Sequence, residues 1–263
     1  MSIYQLPTDN NTLGRFDLTS QFDMSERKVQ RIHSRRWTSR GHQMEQVMAS
    51  PDRKVAFINI PKNSSTSVKN ALSPVGWEIF DLHELNRTKM HYLVLLRNPF
   101  DRWISGVAEY LTMYHGNVID DLSCEHDLGA LPILGQRLAL SIIFDKFQFD
   151  DHTDVQCSFL LDLPWDQCTF IFIDSDLNTN LNQFLVTHGM APVTLGNENS
   201  ATHGTARNLT VKRSIQQMLI RILENSLERR EKLQEYLWPD LQLINRVNMV
   251  NQINPTLIIK DNG

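Results

Sequence analysis

Seven residues, Pro61-Lys62-Asn63-Ser64-Ser65-Thr66-Ser67, concentrate hydroxyl and cationic chemistry in this 263-residue chain. They follow the apolar run Val55–Ile60, a predicted buried strand, and lead into a helix predicted over about Ser65 to Leu72. A strand-to-helix turn leaves several backbone N–H groups without intrahelical partners, beside the positive end of the helix dipole. Three serines and a threonine add hydroxyl donors, and Lys62 adds a mobile positive charge. Such a turn suits a phosphate-like anion. Serine and threonine are also favoured helix N-caps, so the loop alone leaves both uses open.

The loop is not a Walker A sequence. That motif needs glycines for close approach and a lysine directly before its hydroxyl residue. Here glycine is absent and Lys62 stands near the loop's start, which weakens a nucleotide kinase or NTPase reading. Ile171-Phe172-Ile173-Asp174 keeps that alternative open, because Asp174 imitates a metal-holding strand end. A second anion site is predicted in Arg97-Asn98-Pro99-Phe100-Asp101-Arg102-Trp103-Ile104-Ser105. There Arg97 ends a strand and Ser105 rides the helix opened by Pro99. Two anion sites on neighbouring strands suggest one nucleoside with phosphates at both ends.

The elements that must position these residues alternate. Strands are predicted at Val55–Ile60, Trp77–Leu82, His91–Leu96 and Thr169–Ile173. Helices are predicted at about Pro99–Tyr114, Leu131–Phe147 and Leu177–Thr187. A polar loop from Met190 to Arg213 precedes long amphipathic helical structure closed by Pro239, then a last helix to about Val250. This order predicts an α/β fold with a mainly parallel sheet, binding ligand at the carboxyl ends of its strands. Residues 1–53 read as a polar arm, with a helical stretch over Ser25–Met48 that carries Arg27, Lys28, Arg31, Arg35, Arg36 and Arg40. Residues 54–263 read as the α/β domain.

Composition excludes several classes. With 41% hydrophobic and 21% charged residues the chain is neither disordered nor low-complexity. A formal charge of -4 gives no global pull toward nucleic acid or an anionic membrane. Cys124, Cys157 and Cys168 form no zinc spacing, and their sparse, odd count suits a reducing compartment. Neither a secretory apolar core near the N-terminus nor an 18-residue apolar run is found. A soluble cytoplasmic protein is therefore expected, with no membrane span and no nucleic-acid partner.

The two anion motifs together resemble sulfotransferases that use 3′-phosphoadenosine 5′-phosphosulfate (PAPS). PKNSSTS is similar to the 5′-phosphosulfate loop in its Ser/Thr-rich form, as in uronyl 2-O-sulfotransferases. LRNPFDRWIS is similar to the 3′-phosphate motif. Asp151-His152-x-x-x-Gln156-x-x-Phe159-Leu160 is similar to a segment of Golgi-type carbohydrate sulfotransferases. The Asn197-x-x-Ser200 loop and Tyr236-x-x-x-Asp240 follow in the family's order. The chain looks like a small free-standing bacterial or phage-type member, and the resemblance spans about Lys54 to Val247.

The resemblance implies a P-loop-like three-layer sandwich, its central sheet flanked by helices. It also implies transfer of a sulfuryl group from PAPS to a hydroxyl acceptor, of carbohydrate type, with no metal required. Pro61, Lys62, Asn63, Ser64, Ser65, Thr66 and Ser67 would hold the 5′-phosphosulfate, Lys62 neutralising the bridging oxygen. Arg97 and Ser105 would hold the 3′-phosphate, and Arg207, Lys212 and Arg213 would cover the nucleotide. His152 and Gln156 would meet the acceptor. For the general base His83 leads, since histidine titrates near neutrality; Glu84, His152 and Glu109 follow in that order. A non-catalytic anion- or polysaccharide-binding module on the same fold is the remaining alternative.

Overall fold

The computed structural model describes residues 46–81, 84–85, 89–114, 147–160, 163–173, 176–196 and 206–253. Five strands form one sheet: β1 (Gln46–Ala49), β2 (Val55–Ile58), β3 (Glu78–Asp81), β4 (His91–Leu96) and β5 (Cys168–Phe172). Their spatial order is β3-β1-β2-β4-β5. β2 pairs in parallel with β4, and β4 with β5, while β1 runs antiparallel to both β2 and β3. The fold is α/β, as expected, but the sheet is mixed rather than mainly parallel. The cause is β1, which the sequence pattern puts at the end of the Ser25–Met48 helix. The rest of that stretch lies outside the described residues. So do the 131–146 part of a predicted helix, Asp174 and the Asn197–Ser200 loop.

Alternation along the strands divides the core in two. Ala56, Ile58, Tyr92, Val94, Leu96 and Phe170 join one cluster with α2 (Pro99–Tyr114), α4 (Ala206–Glu224) and α5 (Leu227–Ile253). Val55, Phe57, Leu93, Leu95 and Ile171 join the other with α1 (Ser65–Leu72) and α3 (Leu177–Thr187). Helix α2 shows how closely local chemistry sets a boundary. Asn98 Oδ1 accepts from the amides of Phe100 (3.0 Å) and Asp101 (3.3 Å), Pro99 takes the first helical position, and Asp101 complements the dipole. Phe100, Trp103, Ile104, Val107, Ala108 and Leu111 then bury one stripe.

The C-terminal helices depart from expectation. The polar loop ends earlier, because α4 begins at Ala206, and the break between helices falls at Asn225–Ser226 instead of at Pro239. Ser226 Oγ accepts from the Arg229 amide at 3.3 Å, an N-cap contact that starts α5. Pro239 then sits inside α5. A mid-helix proline costs about 3 kcal/mol, but Tyr236, Leu237, Asp240 and Leu241 around it are all buried. Tertiary burial outweighs the local signal. Among the described residues no helix is long and apolar enough to cross a membrane, and Cys157 and Cys168 are buried free thiols.

Gly106 marks the closest approach of α2 to the segment after Phe147. A Cβ there would stand 2.1 Å from the His152 carbonyl oxygen and 2.8 Å from its carbon. Backbone cannot yield as a side-chain tip does. Gly106→Ala should therefore lower stability by about 2–3 kcal/mol in urea unfolding, and a melting profile equal to wild type would show that the two backbones are not pressed together.

Candidate functional site

The two loops singled out by their chemistry lie side by side, because β2 and β4 are adjacent, parallel and in register from Val55↔His91 to Ile58↔Val94. Both strands therefore end on the same edge of the sheet. In the first loop Lys62 (φ 67°) and Ser64 (φ 53°) adopt left-handed backbone, a region costly for non-glycine residues. Ser64 takes this conformation without the freedom a glycine would have, and so carries the strain. It provides no side-chain cap for α1. The first helical hydrogen bond runs from Val68 N to Ser64 O at 3.0 Å, so the amides of Ser65, Thr66 and Ser67 precede it. Among the described residues the hydroxyls of these four positions have no hydrogen-bond partner. The cradle is open.

Cations gather around it. Lys62 Nζ lies 2.8 Å from Glu109 Oε2, and Lys212 Nζ lies 2.7 Å from the same oxygen. Arg97 Nη1 donates to the Lys62 carbonyl at 3.2 Å. Burial pulls the Lys62 ammonium below its ordinary value, Lys212 and Arg97 add to that, and Glu109 opposes it. Burial pushes the Glu109 carboxyl up, but the two ammonium groups outweigh this and hold it at about 2. A carboxylate so acidic accepts a proton poorly, which counts against Glu109 as a base. Burial also lowers the Arg97 guanidinium, and Asp101 opposes it from the start of α2. Three cations thus face two carboxylates, leaving the site positive.

Other predicted residues fall at varied distances from this centre. Ser105 is half-buried in the second turn of α2, one helical turn before Glu109 and on its face. Lys212 reaches the site from a helix, not from the loop assigned to it; Arg213 beside it is exposed, and the Arg207 side chain lies outside the described residues. His83 also lies outside them. It follows β3, which is co-directional with β2 but two strand positions away across β1, roughly 10 Å. Glu84 is exposed and accepts from the Asp81 amide at 3.4 Å.

The segment after Phe147 is more buried than its predicted contact with an acceptor would require. Gln156 is 0% exposed, and its amide bonds to Asn63, to both peptide groups of Arg97 and to Asp240. Its work lies between the strand ends. His152 packs its imidazole Nδ1 2.9 Å from Asp150 Oδ2 and 3.2 Å from Asp151 Oδ1. Burial disfavours the imidazolium, yet the two carboxylates win and raise its pKa to about 9. The ring is charged near neutrality, which counts against a base role. The three side chains also place carboxylate and imidazole atoms within 4.8 Å of one another, a spacing compatible with a cation.

One residue escaped sequence reasoning. Arg102, 1% exposed, donates from Nε to the Pro61 carbonyl at 3.0 Å, and from its two terminal nitrogens to the carbonyls of Asp154 and Asp151. It ties the first loop to the segment after Phe147. The available signal was Gly106 one helical turn later, marking a face of α2 that another backbone must touch. Comparisons with protein-family models, with curated proteins and with solved structures return no match.

The His152 cluster makes stability depend on pH with a definite sign. A pKa raised from 6.5 to about 9 contributes stability that is whole below about 6.5 and lost as pH rises through 9. The stability gap between wild type and His152→Gln should be on the order of 2 kcal/mol larger at about pH 6 than at about pH 10. Urea unfolding at both pH values measures it, and a constant gap would mean that the imidazole is not held charged.

Proposed function

We propose that the protein is a PAPS-dependent sulfotransferase acting on a hydroxyl acceptor of carbohydrate type, on a P-loop-like three-layer variant of the α/β fold. One observation carries the reading: two anion-suited strand ends lie next to each other on parallel strands, joined by the Arg97 to Lys62 carbonyl contact at 3.2 Å. Their placement matches a ligand charged at both ends of one nucleoside. The open hydroxyls of Ser64–Ser67, the free first-turn amides of α1 and the positive surroundings suit a phosphosulfate, and Arg97 with Ser105 suits a 3′-phosphate.

PAPS, when bound, supplies the sulfuryl group. The chain's own residues then divide the remaining tasks. Lys62 neutralises charge on the bridging oxygen, and the loop amides from Asn63 to Ser67 orient the phosphosulfate for in-line transfer. Lys62 must exchange its partner, since Glu109 holds its ammonium in this structure. Lys212 shares that carboxylate and can retain it. His83, two residues after β3 in the sequence, takes the acceptor's proton in its neutral form.

A thermal-shift comparison tests the reading. Adenosine 3′,5′-bisphosphate at 100 times its Kd should add ~2.7 kcal/mol of stability, and ATP with Mg²⁺ less. A preference for ATP would move the site to phosphoryl transfer. Arg97→Ala should weaken the bisphosphate by about 2–5 kcal/mol. Lys62→Ala should retain folding and lose most sulfate transfer from labelled PAPS, and His83→Ala should lose transfer to acceptor while binding the nucleotide normally. Wild-type turnover in His83→Ala would remove that residue from the base role.

A further inference from the structure

One side chain links both anion loops. Gln156 Oε1 accepts from Asn63 Nδ2 at 2.6 Å and from the Arg97 amide at 3.0 Å. Gln156 Nε2 donates to the Arg97 carbonyl at 2.9 Å and to Asp240 Oδ2 at 3.4 Å. The side-chain amide therefore pairs with the N–H and C=O of Arg97 as a neighbouring strand would, while it grips the first loop through Asn63. Asn63 Nδ2 also donates to the Leu95 carbonyl at 2.7 Å, so the loop is fastened to β4 itself.

Asp240 fixes the direction of this amide. Its carboxylate accepts from the backbone amides of Gln156 (2.8 Å) and Cys157 (2.9 Å). A flipped Gln156 would turn Oε1 toward the Arg97 carbonyl and the Asp240 carboxylate, acceptor against acceptor. It would also turn Nε2 toward the two donors. Only one orientation satisfies every partner. Gln156 and Asp240 are both 0% exposed, so neither offers its side chain to a ligand directly.

We propose that Gln156, oriented by Asp240, is a positioning residue that sets the separation of the two anion loops and so selects ligands charged at both ends of a nucleoside. The proposal rests on the nucleotide reading above and adds to it the origin of specificity. A donor and an acceptor on one rigid plane are required. Asparagine lacks the reach, an ionised glutamate lacks the donor, and methionine lacks both. With the amide gone, each loop keeps its own chemistry, because Lys62, the serines and Arg97 are untouched. What is lost is their spacing.

A ligand that uses both loops must therefore suffer more than one that uses only the first. Isothermal titration of the full chain with adenosine 3′,5′-bisphosphate and with ADP separates these cases. Wild type should bind the bisphosphate at least tenfold more tightly than ADP. Gln156→Met should reduce that advantage at least fivefold while changing ADP affinity less than threefold. If Gln156→Met does not melt cooperatively, Asp240→Asn decides, with a smaller split in the same direction. An unchanged advantage in the folded variant, or equal loss for both ligands, overturns the spacer role and leaves the nucleotide reading standing. A wild type without preference for the bisphosphate overturns both.

Discussion

A buried cation and a buried anion hold the carboxyl edge of the sheet together without touching each other through a direct ion pair among the described residues. Arg102 and Asp240 are both essentially inaccessible to solvent. Between them runs the segment from Asp150 to Cys157, whose carbonyls accept from Arg102 and whose amides donate to Asp240. Each charge would cost several kcal/mol if buried bare. Charge-assisted bonds to backbone offset that cost, and backbone partners have little freedom to leave. Burial raises the Asp240 carboxyl above the usual range, while Arg102 and the two backbone amides oppose it.

That arrangement makes one segment a common ledge for both loops. Arg102 carries the bond to Pro61, Gln156 carries those to Asn63 and Arg97, and Tyr236 closes the far side by donating to the Thr153 carbonyl at 3.0 Å. Helix α5 thereby bears on the site through Tyr236 and Asp240, one helical turn apart. Its continuity through Pro239 matters for this reason: a break there would separate two side chains that must face the same ledge. The helix keeps an unfavourable residue because the contacts on either side of it are fixed.

How much of this was legible in the sequence depended on range. Helices α1, α2 and α3 have the predicted limits, since their signals are local: Pro99 at the start of α2, or Gly189 with φ 74° just beyond α3. β1 was missed because four residues, Gln46–Ala49, are too short for an alternating pattern, and the residues described there are buried throughout. The mixed sheet follows from that one omission. Lys62, Asn63 and Arg97 were visible from strand-end chemistry. The joining bonds from Gln156 to Asp240 and to Asn63 were not, because they span 84 and 93 residues and leave no periodic trace. From the sequence Glu109 ranks only as the last candidate for the base, and its meeting with both Lys62 and Lys212 is a long-range contact that no local spacing signals.

The distribution of unfavourable features gives the site its meaning. Lys62 and Ser64 occupy left-handed backbone, a cost on the order of 1–2 kcal/mol each. Between them, buried Asn63 leaves its Oδ1 without a partner among the described residues. Three consecutive residues thus carry strain and an unmade hydrogen bond, directly beside two buried charges. Elsewhere the strands are largely apolar, and Arg53 (φ 54°) in the turn between β1 and β2 is the other non-glycine residue in left-handed backbone among the described residues. Glycine at Ser64 would relieve its strain but remove a hydroxyl from the cradle, and an open loop would relieve Asn63 but release the grip of Gln156. Two of the three left-handed non-glycine residues among the described residues thus fall in this one loop, where rigidity placed in advance would serve binding of the proposed anion better than local comfort.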